Sequence, residues 1–92
     1  MPPRFANKET ELIARGMHVR AFSGIADRAE RRLDQVLAAT ALSDLSLPGL
    51  RLEALKGKRA GQYSVPINRQ YRVCFEWVDC EAVNIEIVDY HR

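Results

Sequence analysis

Residues 59–77, RAGQYSVPINRQYRVCFEW, contain two alternations that set the fold. Tyr63, Val65 and Ile67 alternate with Gln62, Ser64 and Pro66, and Tyr71, Val73, Phe75 and Trp77 alternate with Arg72, Cys74 and Glu76. A period of two is that of strands with one face on a core and the other turned away. Asn68, Arg69 and Gln70 fall between the runs as a turn. Pro66 has no amide hydrogen, so its N–H side must face away from a partner strand or lie at a bulge.

Working outward, Asp79–Glu81 form the next turn, and a last strand follows with Val83, Ile85 and Ile87 on the core face. Asn84, Glu86, Val88 and Tyr90 take the opposite face, together with Arg72. Upstream the period changes. Ile25, Ala29, Leu33, Val36, Leu37 and Thr40 recur at three and four and make the apolar stripe of a helix introduced by Ser23 and Gly24. Asp27, Arg28, Glu30, Arg31 and Asp34 cover its other side. A shorter helix over Lys8–Arg15 starts from an Asn7 cap, carries Glu9 and Glu11 at its positive end, and stops at Gly16. Arg4–Ala6 form a short first strand, and Ser43–Leu47 add a helical turn before Pro48 and Gly49. The expected fold is α+β, with two N-terminal helices packed on a small antiparallel sheet that leaves a polar, open face.

A chain of 92 residues supports one modest core, so a single domain over residues 1–92 is expected. The 47% hydrophobic and 28% charged fractions exclude a disordered or fibrous chain. No run approaches the roughly 18 apolar residues of a membrane span, and Met1–Glu11 lacks the apolar centre of a signal peptide. A cytoplasmic address and no membrane partner are therefore expected. Cys74 and Cys80 have no neighbouring His or further Cys to complete a tetrahedral metal site and are read as free thiols. Tyr63, Tyr71, Phe75 and Trp77 are read as packing rather than as base-stacking platforms. Gly57 and Gly61 allow turns; they lack the strand–loop–helix setting of a phosphate loop.

Charge is unevenly spread. Residues 51–72 carry Arg51, Lys56, Lys58, Arg59, Arg69 and Arg72 against Glu53 alone, whereas residues 73–92 carry five acidic side chains against Arg92. A concentrated basic segment suits phosphate binding, because each neutralised phosphate releases counterions.

The blocks LRLEALKG (residues 50–57), RAGQYSVPINRQYRVCF (59–75) and NIEIVDYH (84–91) occur in an order that resembles the HigB branch of the RelE superfamily of toxins, and the likeness extends loosely over residues 4–47. The resemblance implies the α+β fold already described and cleavage of messenger RNA in the ribosomal decoding site. It also implies a HigA-like helix-turn-helix antitoxin as partner, with operator DNA reached only through that antitoxin.

Such cleavage uses the RNA's own 2′-hydroxyl, which must lose a proton. The phosphorane must be stabilised by cations, and the 5′ oxygen must be protonated as it leaves. No metal or other cofactor is required. Lys56 and Arg72 supply cations, and Lys58, Arg59 and Arg69 add phosphate contacts. His91 has the unperturbed pKa suited to proton transfer. Asp89 is placed to orient that imidazole, and Tyr90 to stack on a base or donate a proton. The resemblance carries catalytic roles to Asp89, Tyr90, His91 and Lys56. Some members place a His three residues before that Lys; Glu53 stands there in this chain, removing one acid or base and adding a negative charge. Two other functions fit the same fold: a ParE-like toxin acting on gyrase, and a weakened toxin retained for antitoxin binding and operon autoregulation.

Overall fold

In the computed structural model, residues 2–90 are described. His91 and Arg92 therefore lie outside the described residues. Helix α1 spans Lys8–Ala14 and helix α2 Ala26–Ala38. Strands β1 (Glu53–Ala54), β2 (Tyr63–Pro66), β3 (Tyr71–Val78) and β4 (Glu81–Asp89) form an antiparallel sheet in the order β1-β2-β3-β4. Short 3-10 turns occupy Arg20–Phe22, Leu42–Leu45 and Gly57–Arg59. No helix among the described residues is long and apolar enough to cross a membrane.

The Asn7 side chain caps α1 by accepting from the Thr10 N–H at 2.9 Å, and Gly16 leaves the helix at φ 78°. The stripe of α2 buries Ala29, Leu33 and Val36 against the sheet residues Val65, Val73, Phe75, Ile85 and Ile87. Thr40 was expected on that stripe but is exposed beyond the helix end, and Ala39 is the buried residue instead. The chain turns extended at Ala39, and the N–H groups of Thr40 and Ala41 are drawn to the Asp44 carboxylate at 3.1 Å each. Those two bonds hold the Asp44 carboxyl below its ordinary pKa. The aromatics belong to the helix-covered face, with Tyr63 stacked on Phe75, Phe75 against Trp77, and Tyr71 edge-on to Phe22.

Both hairpins follow local chemistry. Asn68 Oδ1 accepts from the N–H groups of Gln70 and Tyr71 at 2.8 Å each, closing the β2–β3 turn. Asp79 and Cys80, both at positive φ, make a two-residue turn whose twist matches the strands it joins. Pro66 ends β2 beyond the reach of β1. The Ile67 N–H bonds Tyr71 O, so the Pro66 N and O side points away from β3, and its carbonyl accepts from Arg32 Nε at 2.9 Å.

The last strand departs from simple alternation. Cys74 pairs with Glu86 but Glu76 pairs with Val83, so two residues of β4, Asn84 and Ile85, oppose Phe75 alone. Asn84 takes φ 50°, the left-handed conformation of a bulge residue. The extra residue flips everything before it. Ala82, opposite Trp77, enters the core, and Val83, opposite Glu76, leaves it, contrary to the expected Val83–Ile85–Ile87 face. Arg4–Ala6 do not form a regular strand; they make one parallel bridge, Phe5 to Ile85, alongside the bulge.

Candidate active site

The sheet face away from the helices carries the charged side chains in rows set by strand register. One row runs Glu53, Ser64, Cys74, Glu86; the next runs Pro66, Arg72, Val88. Tyr90 continues this face past the end of β4.

Arg72 is the centre of the cluster. Its Nε donates to Ser64 Oγ at 2.7 Å, and Nη2 lies 3.8 Å from Glu53 Oε1. The guanidinium carbon stands 5.8 Å from the centre of the Tyr90 ring, within cation–π range. The Arg72 side chain retains only 20% of its exposure, against 58% for Glu53. The result is a half-buried cation aimed by a buried hydroxyl and bordered by a solvated carboxylate. In the neighbouring row Arg59 Nη1 donates to Gln62 Oε1 at 2.9 Å and lies 3.7 Å from Glu86 Oε1.

This face is less open than alternation alone implies. Ser64, Cys74 and Val83 are buried on it, outside the main core cluster. Burial pushes the Cys74 thiol up from its ordinary pKa, with Arg59 and Arg72 pulling it down and Glu86 adding to the rise. Cys74 is therefore a protonated filler beneath the charged layer, and Cys80 is exposed in the hairpin turn.

The structure brings Glu53, Arg72 and Tyr90 together and sets Arg59 beside them. Lys56 and Lys58 are exposed at the Gly57–Arg59 turn, which Gly57 enters at φ 66°. Arg69 is exposed in the β2–β3 turn, at the end of the sheet and off its face. Asp89 pairs with Tyr71, so it shares the helix-side face and stands opposite Tyr90. Its carboxylate accepts from Gln70 Nε2 at 3.1 Å, while Gln70 O accepts the Tyr90 N–H at 2.6 Å. Gln70 thus holds both residues of the Asp-Tyr pair from one turn. His91 lies outside the described residues.

Three contributors escaped the sequence reading: Ser64, which aims Arg72; Glu86, which pairs with Arg59; and Gln70. Ser64 was legible in part, as a small hydroxyl residue of the alternate set in β2. Its register against Arg72 was not, because register is a property of the folded sheet.

As chemistry, the face offers a pre-aimed guanidinium for a phosphate, an ionisable carboxylate beside it, and an aromatic ring at the same spot. These are elements with which a protein can grip an RNA phosphate and an unstacked base.

Residues 14–91 match the family described as RelE-like toxin of type II toxin-antitoxin system HigB. The chain is 44% identical over 71 residues to Toxin HigB-1 of Vibrio cholerae serotype O1, covering 76% of this chain and 74% of that protein. It is 31% identical over 65 residues to Endoribonuclease HigB of Proteus vulgaris, covering 71% of each. With the two-helix, four-stranded α+β architecture and a match over most of its length, the chain belongs to the HigB family of RelE-like toxins of type II toxin-antitoxin systems.

Proposed function

We propose that this toxin is an endoribonuclease that cuts messenger RNA while it is translated on the ribosome, in the cytoplasm, and that a HigA-like helix-turn-helix antitoxin restrains it and carries the pair to operator DNA. The observation that carries the catalytic part is the Arg72 cluster: a guanidinium fixed by Ser64, with its outer nitrogen beside Glu53 and Tyr90 against it.

In this scheme the 2′-oxygen attacks the adjacent phosphorus, the bond to the 5′-oxygen breaks, and a 2′,3′-cyclic phosphate remains. Arg72 and Lys56 offset the charge that builds on the non-bridging oxygens. Tyr90 stacks on the base beside the cut. Glu53 accepts the proton of the 2′-hydroxyl, and His91 returns one to the departing 5′-oxygen, with Asp89 charge-stabilising the C-terminal imidazole. Arg59, Lys58 and Arg69 hold flanking phosphates. The ribosome contributes the in-line orientation of the message, which alone is worth several kcal/mol of barrier.

The test is to map message ends after inducing the chain without an antitoxin, in wild type and His91→Gln. New ends within translated codons, absent in the variant, support the scheme. Growth arrest with intact messages points instead to a ParE-like action on gyrase, and no growth arrest at all to a weakened toxin retained for autoregulation.

A further inference from the structure

A second basic region lies around the edge of the sheet from the Arg72 face. Two adjoining surface clefts, about 380 and 320 Å³, run between α2 and the β2–β3 turn. Arg32 lines both, Arg28 and Arg31 wall one, and Arg51, Arg69 and Arg72 wall the other.

Among the described residues, Arg28, Arg31, Arg32, Arg51 and Arg69 have no acidic partner within ion-pair distance, whereas Arg4, Lys8, Arg15, Arg59 and Arg72 are matched to Glu81, Glu11, Glu86 or Glu53. Arg32 is the fixed floor. Its Nε donates to Pro66 O at 2.9 Å, Nη2 to Gly49 O at 3.1 Å, and Nη1 to Gln35 Oε1 at 2.8 Å. It thereby joins α2 to both loops and keeps its positive charge where no carboxylate cancels it. The far flank of α2 is acidic, with Asp27, Glu30 and Asp34 bordering a separate hollow beyond Arg31, so the positive track has a boundary.

The lining favours a phosphate chain over a folded protein partner. Pro66 and Ile67 are the hydrophobic side chains in these walls, and Ile67 is buried. A protein interface would require an apolar centre to desolvate, whereas a polyphosphate requires unpaired arginines in a row. Arg72 supplies the continuity, since it belongs both to the candidate active site and to the larger cleft.

Resting on the ribonuclease reading, we propose that this arginine track holds the backbone of the single RNA strand as it leaves the cutting site, extending substrate recognition several nucleotides beyond the scissile phosphate. The grip is through phosphates and is indifferent to base sequence.

Binding of uncleavable 2′-O-methyl RNA to the full chain tests this, using oligonucleotides of about four and about twelve nucleotides, a span typical of single-strand sites. In an Arg28→Ala/Arg31→Ala variant the longer RNA should bind about tenfold more weakly. Its salt dependence should fall by about 1.4 in log–log slope, the value for two lost phosphate contacts on a single strand. The short RNA should bind unchanged. An Arg15→Ala/Arg20→Ala variant, with the same loss of charge elsewhere, should affect both lengths equally and less.

An unchanged affinity for the longer RNA, or equal losses in both variants, would overturn the track. So would wild-type binding that does not increase with RNA length. If instead only a poly-glutamate peptide loses affinity for the Arg28/Arg31 variant, the patch is a site for an acidic protein segment. Each of these results is independent of whether messages are cut in cells, so failure of the track and failure of the ribonuclease reading are read separately.

Discussion

Arg72 and Ser64 are joined by a 2.7 Å bond from Nε to a hydroxyl with no solvent exposure. That bond uses the one guanidinium N–H that points back along the side chain, leaving the outer fork for Glu53 or for a phosphate. A lysine has no equivalent geometry, because one ammonium cannot both reach back and reach out. We expect Arg72→Lys to lose about 100-fold in message cleavage and Ser64→Ala about tenfold, since a hydrogen bond to a charged group is worth roughly 1.5–3 kcal/mol. Cleavage by extracts supplemented with ribosomes measures both, and thermal unfolding should show Arg72→Lys folded. Full activity in Arg72→Lys would remove the guanidinium from the mechanism.

Glu53 Oε1 lies 3.8 Å from the guanidinium that, in the proposed scheme, takes the RNA phosphate. Replacing it by Gln removes a negative charge beside the phosphate site. Exposed ion pairs of this kind are worth about 0.2–1 kcal/mol, so uncleavable RNA should bind up to about fivefold more tightly to Glu53→Gln. Cleavage should nevertheless slow, because the proposed proton acceptor has gone. A variant that binds more tightly and cuts faster would show that Glu53 acts only as an electrostatic brake.

Thr10, fully buried on α1, accepts the Ile87 N–H on its Oγ1 at 3.0 Å. Valine there would keep the shape and leave a buried amide without a partner. We expect Thr10→Val to lower stability by about 1–3 kcal/mol and Thr10→Ser by less, measured by denaturant unfolding. Equal stability of Val and wild type would mean that water or a backbone shift replaces the hydroxyl.

The bulge at Asn84 combines φ 50° with a side-chain bond from Nδ2 to Glu76 Oε1 at 3.2 Å. Glycine tolerates that backbone and should leave the stability close to wild type, losing only the side-chain bond. A β-branched valine should cost about 1–2 kcal/mol. Deleting the residue leaves Ile85 alone opposite Phe75, with Val83 still opposite Glu76 and Ala82 opposite Trp77, so the expected result is a chain that still unfolds in one transition, at a lower denaturant midpoint because the Asn84 N–H bond to Pro3 O is lost.

The helices and the β2–β3 hairpin were legible because each is written in local chemistry: the Asn7 cap, the stripe of Ala29, Leu33 and Val36, and the alternation from Tyr71 to Trp77. Val83 was misplaced because one residue of slippage reverses a strand's faces, and nothing within the run Val83–Ile87 marks the slip except an Asn where a β-branched residue would otherwise suit. The candidate site divides in the same way. Arg72 and Tyr90 share a face by simple alternation, whereas Asp89, adjacent in sequence, points to the other side. Arg28 and Arg31 read as an ordinary solvated helix face, and only the packing of α2 beside the β2–β3 turn places them in line with Arg72.

The bulge also determines how this sheet meets other chains. By turning two successive amides, Asn84 and Ile85, outward to Pro3 O and Arg4 O, and with Ile87 taken by Thr10, it occupies the margin of β4 along most of its length. A foreign strand or a second copy finds no template there, and the opposite margin offers only the two residues of β1. The longest strand of the sheet is thereby protected against pairing into fibres along its margin.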